Sequence, residues 1–358
     1  MHNLVYKPGL SLFEFMDADF LKGLFKLDVF TSMSSHIRKS FSNPKLIQLL
    51  EFPVLFLGAL PQNTPALYSL MNYADMVGGT WYPKGGMVKI IEAMHSLAEE
   101  LGVKFELHTN VSKIEVSGKK ADRLIANKPV ADFDVLVSSA DYHFTDKVLL
   151  DPIYSNYSAH YWNKRKMAPS SLIFYIGINK KLSGLLHHNL FFDEDFDHHA
   201  QEIYTNPKWP SKPLFYVSCP SQTDKTVAPE GKENLFILIP IAPDLQDNQK
   251  TNDFYFDLVI KRMEKFIGIG FREEVIYRRD FSTSNFIHEY NSFKGNAYGL
   301  ANTLSQTAIL KPRLINKNIK NLFYTGQLTV PGPGVPPSLI SGKLAAEQVM
   351  KYISKALR

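Results

Sequence analysis

Between residues 87 and 101 apolar and polar positions alternate with a helical period. Ile90, Ile91, Met94, Leu97, Ala98 and Leu101 recur at helical spacing, while Lys89, Glu92, Glu99 and Glu100 take the opposite side. The pattern predicts a helix with one buried stripe, entered through the turn Pro83-Lys84-Gly85-Gly86 and closed at Gly102, where a left-handed cap belongs. The period then changes to two. Val103, Phe105 and Leu107 alternate with Lys104, Glu106 and His108, which predicts a half-buried strand. After Val111 a further strand carries Ile114 and Val116, and Gly118 turns the chain back. Residues 134–140 are nearly all apolar or small, as in a strand covered on both faces.

The pattern elsewhere completes the architecture. Residues 20–33 and 44–52 read as short helices within a helical, apolar first part of the chain. Strands are expected at 171–178, 214–218 and 235–242, with a helix over 253–267 whose apolar stripe runs through Tyr255, Phe256, Val259, Met263, Phe266 and Ile267. The chain closes on a strand at 321–325, a Gly/Pro loop and a helix over 338–357. The expected fold class is α/β, or mixed α+β. One layered domain is assembled from separate segments, and a second domain holds a mixed sheet with helices on one side. The expected division is 1–80, 81–150, 151–310 and 311–358, the second and fourth parts belonging to one domain.

Composition narrows the function. At 358 residues the chain exceeds the usual size of a single core, and 45% apolar residues suffice to build two. The longest apolar run, residues 52–60, is broken by Pro53 and Gly58 and falls short of the roughly 20 residues that cross a bilayer. The start, Met1-His2-Asn3-Leu4, has no features of a secretory signal. Cys219 is the only cysteine, which excludes intramolecular disulfides and thiolate metal sites and reads as a small buried residue in a reducing compartment. The net charge of +5 is scattered, so no concentrated basic face for nucleic acid is expected. His187-His188 and His198-His199 invite a metal, but adjacent side chains should diverge and no carboxylate completes a set, so no metal is expected.

The most informative stretch is Tyr324-Thr325-Gly326-Gln327-Leu328-Thr329-Val330-Pro331-Gly332-Pro333-Gly334-Val335-Pro336-Pro337-Ser338. It leads a strand through three glycines and four prolines into a helix. Glycine lets a ligand approach the backbone and proline stiffens the loop. Amides at the helix start favour an electron-rich group. Ser338, Ser341, Gly342 and Ala345 put small residues on the packed side of the helix, which would allow close approach to a sheet or a flat cofactor. The same pattern fits a rigid connection without a ligand.

This stretch resembles the C-terminal flavin motif of the bacterial phytoene desaturase family of amine-oxidase-like flavoproteins. Further segments resemble the family in the same order: Tyr6-Lys7-Pro8-Gly9-Leu10-Ser11, Leu67-Tyr68-Ser69-Leu70-Met71, Gly79-Thr80-Trp81-Tyr82-Pro83-Lys84-Gly85-Gly86-Met87, Val137-Ser138-Ser139-Ala140-Asp141, Ala228-Pro229-Glu230-Gly231 and Gly299-Leu300-Ala301. The resemblance implies FAD as cofactor and a long polyene such as phytoene as substrate. It also implies work at the inner face of a membrane from the cytoplasm. It places Gly326 and Gln327 along the flavin, Val335, Pro336 and Ser338 beside it, Val111 at the adenine end, Ala140 in the cofactor groove and the Gly85-Gly86 turn on the substrate side. Glu14, within Leu12-Phe13-Glu14-Phe15, is the candidate acid or base, and Arg38 a second choice; the commoner reading of Glu14 is an ordinary surface glutamate on an amphipathic helix.

The sequence departs from the family in two places. It contains no strand–GxGxxG–helix unit to hold the FAD pyrophosphate, since Gly268-Ile269-Gly270 lacks the third glycine. The expectation is an incomplete flavin domain, completed by a chain or segment that carries that unit. The loop also reads Leu328-Thr329-Val330-Pro331-Gly332-Pro333-Gly334 where the family commonly has a small residue followed by His-Pro-Gly-Ala-Gly. Alternative readings are a polyene isomerase or saturase of the same superfamily, and a non-catalytic protein that binds apolar ligands or a membrane surface.

Overall fold

A computed structural model of the chain describes residues 5–11, 14 and 31–357. Nine strands among them run in chain order as β1 (Val111–Ser117), β2 (Lys120–Ala126), β3 (Leu136–Ser138), β4 (Ser170–Ile178), β5 (His188–Phe191), β6 (Phe215–Ser218), β7 (Glu233–Ile241), β8 (Val275–Phe281) and β9 (Leu322–Tyr324). The fold is mixed α/β and divides into two compact units, both discontinuous in sequence. One comprises Met1–Asn72, His108–Pro169 and Phe286–Arg358, the other Tyr73–Leu107 and Ser170–Asn285.

In the first unit β3 and β9 pair in parallel, Leu136 opposite Leu322 and Ser138 opposite Tyr324. β1 and β2 form the expected hairpin around Gly118. Ile114 and Ala121 from the hairpin share a core with Tyr142, Trp162, Leu322 and Tyr324. Asn321, only 2% exposed, joins these pieces. Its Oδ1 accepts the Ala121 N–H at 2.7 Å, and its Nδ2 donates to the carbonyls of Ala121 and Asp134, both at 2.9 Å. One amide thus satisfies backbone groups on the hairpin and on the approach to β3. The helix Pro44–Glu51 forms where expected, with Asn43 as its cap, and packs with the helix Met33–Arg38 through Met33, Ile37 and Ile47. The helix expected over 20–33 lies, up to residue 30, outside the described residues.

The strand expected over 134–140 is shorter and less covered than its apolar run predicts. Only Leu136–Ser138 is strand, and Val137 is 44% exposed. Continuous hydrophobicity records that a strand suits cover on both faces. The second cover has to come from another element, and none of the described residues supplies it.

The second unit is a five-stranded sheet in the order β5-β6-β7-β4-β8. Every pair in it is antiparallel, which corrects the expected mixed sheet. Helices cover one face, as expected: Leu172, Phe174 and Ile176 of β4 with Leu235, Ile237 and Ile239 of β7 pack against Phe256, Val259 and Met263 of the helix Gln249–Ile267. That helix starts before residue 253 because the Asn248 side chain accepts the Thr251 N–H and caps it. Cys219 is fully buried, and burial pushes its thiol up to about 11, so it behaves as a small core residue.

The helix Val88–Glu100 forms as predicted, but its stripe is not buried. Ile91, Met94, Leu97 and Leu101 are 64%, 47%, 56% and 76% exposed. The strand expected at 103–107 does not form, and Val103, Phe105 and Leu107 are exposed. A strand exists only in a ladder, and no strand among the described residues forms one with this segment. Period-two alternation specifies how side chains divide between faces; it does not supply the neighbouring strand.

Replacing Asn321 by Ala leaves the two buried backbone groups of Ala121 and the part-buried Asp134 carbonyl without this partner. It should lower the free energy of unfolding by about 2–4 kcal/mol, measured by urea denaturation with the slope unchanged.

Candidate functional site

β9 delivers the chain to the loop 325–334. The Thr325 N–H donates to the Ser138 carbonyl at 3.0 Å, extending the parallel pairing by one bond. Gly326 follows with φ +104, a conformation open to glycine and strained for other residues. Its N–H donates to Ser341 Oγ at 3.0 Å. Ser341 is fully buried on the helix Val335–Ala356, and the Thr325 and Thr329 hydroxyls each lie 2.9 Å from it. Thr329 donates to the Gly326 carbonyl at 2.8 Å, so it accepts from Ser341, and Ser341 accepts from Thr325 and from the Gly326 N–H. Strand, loop and helix are latched by one hydroxyl whose three bonding positions are all filled.

The loop is also held from outside. A Cβ on Gly299 would stand 2.8 Å from the Gln327 carbonyl oxygen, so the segment 299–301 packs directly on Gln327. Asn296 Oδ1 accepts the Gly299 N–H at 2.6 Å and faces Gln327 Nε2 at 3.5 Å. A Cβ on Gly9 would meet Val330 at 3.2 Å, which brings the turn bearing Glu14 against the loop. Glu14 accepts the N–H groups of Gly9, Leu10 and Ser11 at 2.9–3.2 Å, so its carboxylate closes that turn. Leu12, Phe13 and Phe15, the apolar neighbours that made Glu14 a candidate, lie outside the described residues. Arg38 is engaged in a two-point ion pair with the buried Glu51 at 3.2 and 3.3 Å and donates to Ser34.

The expected cofactor contacts divide. Ser139, Ala140, Gly334, Val335, Pro336 and Ser338 are exposed, while Gly326 and Gln327 are half-buried. The helix buries Ser341, Leu344 and Ala345; Ser338 and Gly342 face outward, which corrects the expected small-residue packing side. A Cβ on Gly342 would meet nothing within 4 Å. The result is a low shelf of small residues beside a stiff loop, which suits a flat ring. The helix start offers less to an anion than expected. Pro336 and Pro337 have no N–H, and the Ser338 N–H is committed to the Gly334 carbonyl, so Val335 carries the one uncommitted amide of that turn. Val111 begins β1 opposite Ala126, half-buried. The residues present therefore fit the ring and sugar side of a flavin. Among the described residues no second glycine-rich strand–turn–helix unit is found for its pyrophosphate.

Two polar groups beside the loop were not identified from sequence. Lys311 is 3% exposed, and its Nζ finds no hydrogen-bond partner among the described residues. A Cβ on Gly332 would lie 3.5 Å from that Nζ. Burial pulls Lys311 down to about 8. Asp141, next to Ala140, accepts the Phe144 and Phe293 N–H groups, and burial raises its carboxyl to about 6. Neither carries a local sequence signal, because nothing in the spacing says that these positions become buried. Among the described residues no group of three or more His, Cys, Asp or Glu side chains could hold a metal. The His187 and His188 rings do not diverge as expected but lie 4.3 Å apart, each bonded to a different hydroxyl, Thr223 and Tyr216.

A parallel strand enters a glycine- and proline-rich loop latched to a long helix, beside a shelf of small residues. The chain belongs to the flavin-containing amine oxidoreductase family, whose model matches residues 14–350, and its cofactor is FAD. Within that family it falls among the carotenoid desaturases. It is 36% identical to a carotenoid 3,4-desaturase of Haloarcula japonica, over 98% of this chain and 72% of the relative. It is 31% identical to a 4,4'-diapophytoene desaturase of Staphylococcus haemolyticus, over 92% of this chain and 68% of the relative. Among solved structures, an oxidoreductase from Methanosarcina mazei shares the fold with a TM-score of 0.61 at 17% identity, covering 94% of this chain and 75% of that one.

A lysine whose folded pKa lies below its unfolded value costs stability while it must stay charged. The unfolded chain binds the extra proton between pH 8 and 10.5, so Lys311 makes stability rise with pH across that window. Lys311→Met should remove that rise and stabilise the protein by about 3 kcal/mol at pH 7. Paired urea titrations of the two proteins at pH 7 and 10 measure it.

Proposed function

We propose that the chain carries the ring-facing and polyene-facing parts of a carotenoid desaturase. The observation that carries this reading is the Ser341 latch, which fixes Gly326 and the small-residue shelf in one rigid piece. In this reading Gly326 and Gln327 lie along the isoalloxazine. Val335, Pro336 and Ser338 flank it, Ala140 lines the groove, and the Val111 backbone meets the adenine end. FAD, when bound, supplies the acceptor for a hydride from an allylic carbon; a proton leaves the neighbouring carbon, and a double bond forms between the two. The protein's own tasks are to hold the hydrocarbon, exclude water and receive the proton. Glu14 is the proposed acid or base, because its turn abuts Val330. Arg38, tied to Glu51, is the weaker candidate.

A hydrocarbon offers no polar handle, so binding rests on burial, at about 0.8 kcal/mol per CH₂. Such a substrate comes from a membrane. No helix among the described residues is long and apolar enough to cross one, and attachment at the inner surface is proposed instead. Trp81, 88% exposed with Lys84 and Lys89 close in sequence, is the type of side chain that settles at headgroup level. The exposed stripe of the helix Val88–Glu100 supports completion by a polypeptide that brings a strand–GxGxxG–helix unit.

The test is a flavin absorbance band that survives desalting after incubation with FAD, with and without a GxGxxG-bearing segment, followed by polyene product analysis. A retained band is expected at least in the completed protein, and Gly326→Val should abolish it. A completed, folded protein that retains no flavin would sink the reading.

A further inference from the structure

Two buried polar atoms meet at Gly332, near the end of the loop 325–334. A Cβ on Gly332 would lie 3.5 Å from Lys311 Nζ and 3.6 Å from Asn302 Oδ1. Lys311 is 3% exposed and Asn302 4%. Neither atom has a hydrogen-bond partner among the described residues, so the two do not bond each other. Burial is the one cause of the lowered Lys311 pKa; no carboxylate among the described residues acts on the amine. At about 8 that pKa still leaves the amine charged at pH 7. The loop therefore has a whole positive charge beside it, out of water and without a counter-charge.

An unpaired buried ammonium works against folding, and an apolar chain of the same length would fill the space without that penalty. The arrangement becomes favourable when a negative charge forms nearby in the same water-poor surroundings. The reaction of the desaturase reading forms one. A hydride takes two electrons and one proton from an allylic carbon to the neutral oxidised ring, and the neighbouring carbon loses its proton to a base. The ring ends with one negative charge more than it had before. The hydrocarbon brings no charge to balance it. In that reading Gln327 and Val335 contact the ring, and they bracket Gly332 in the sequence. The Ser341 latch holds the start of this loop in place, and the packing at Gly332 sets the ammonium against its end.

We propose that Lys311 is the resident counter-charge of the reduced flavin and raises the flavin's reduction potential. Asn302 presents a neutral dipole to the same point, where a carboxylate would pair the ammonium and cancel its effect. Lys311 acts on the ring through space; in this role it neither gives nor takes a proton. The inference rests on the desaturase reading and adds to it a residue that sets the redox poise of the cofactor.

The test uses the completed, flavin-loaded protein without substrate and reads the midpoint potential of the bound flavin at pH 7 by spectroelectrochemical titration. Two unit charges about 6–10 Å apart, at an effective dielectric of about 20, change an equilibrium by about 10- to 100-fold. Lys311→Met should therefore favour the oxidised flavin by about 10- to 100-fold, which lowers the midpoint by about 30–60 mV for a two-electron couple. Lys311→Arg keeps the charge and should keep most of the potential. Asn302→Asp sets a carboxylate against the ammonium and should lower the potential in the same direction as Lys311→Met. Thermal unfolding checks that each variant is folded. An unchanged potential in flavin-loaded Lys311→Met would overturn the counter-charge and leave the desaturase reading standing. An equal drop in folded Lys311→Met and Lys311→Arg would trace the effect to packing and overturn it as well. A completed, folded parent protein that retains no flavin would instead count against the desaturase reading, and the counter-charge with it.

Discussion

A buried hydroxyl has one proton to give and two lone pairs to fill, and at Ser341 all three are used within one turn of the loop. The Gly326 amide, the Thr325 hydroxyl and the Thr329 hydroxyl converge on it. Its consequences reach well beyond the residue. The bond to Gly326 fixes a backbone conformation that only glycine adopts cheaply, and it does so where β9 has just left its pairing with β3. The helix Val335–Ala356 is thereby set against the end of a parallel strand pair, and the Ser139–Ala140 shelf is held open beside it. Asn321 does the equivalent work at the other end of β9, where one amide ties the hairpin to the approach of β3. The candidate site is a short strand pinned at both ends by buried polar side chains.

The two units bury their apolar surface differently. In the sheet unit one face is closed by helices through a continuous aliphatic and aromatic core, while the other carries half-exposed aromatic side chains in register. An antiparallel sheet tolerates this asymmetry because alternate residues along each strand answer to different surroundings. The strand-pair unit has no such alternation to fall back on. The β9 side of this parallel pair is bridged by residues 314–316, and Val137 remains exposed on β3.

Exposed apolar pattern recurs in the helix Val88–Glu100 and the segment behind it. A stripe of Ile91, Met94, Leu97 and Leu101 and an alternation at 103–107 are costly to keep in contact with water. The chain spans 72% and 68% of the length of these two curated relatives.

Local chemistry set most of the elements. Helical periodicity placed the helices Val88–Glu100 and Gln249–Ile267, alternation and apolar runs placed β1, β4, β6 and β7, and the Gly/Pro pattern placed the loop and the long helix after it. The motif residues from Tyr324 to Ser338 also pointed to the family, and their glycines and prolines constrain the backbone wherever they stand. Other features depended on distant residues. Ser341 gained its role from two threonines twelve and sixteen positions away, and Lys311 and Asp141 became buried only through packing. The strand expected at 103–107 failed for the same reason in reverse. Side-chain pattern is a property of the chain, but a hydrogen-bond ladder, a buried charge and a binding face are properties of what stands opposite, and tertiary structure alone decides that.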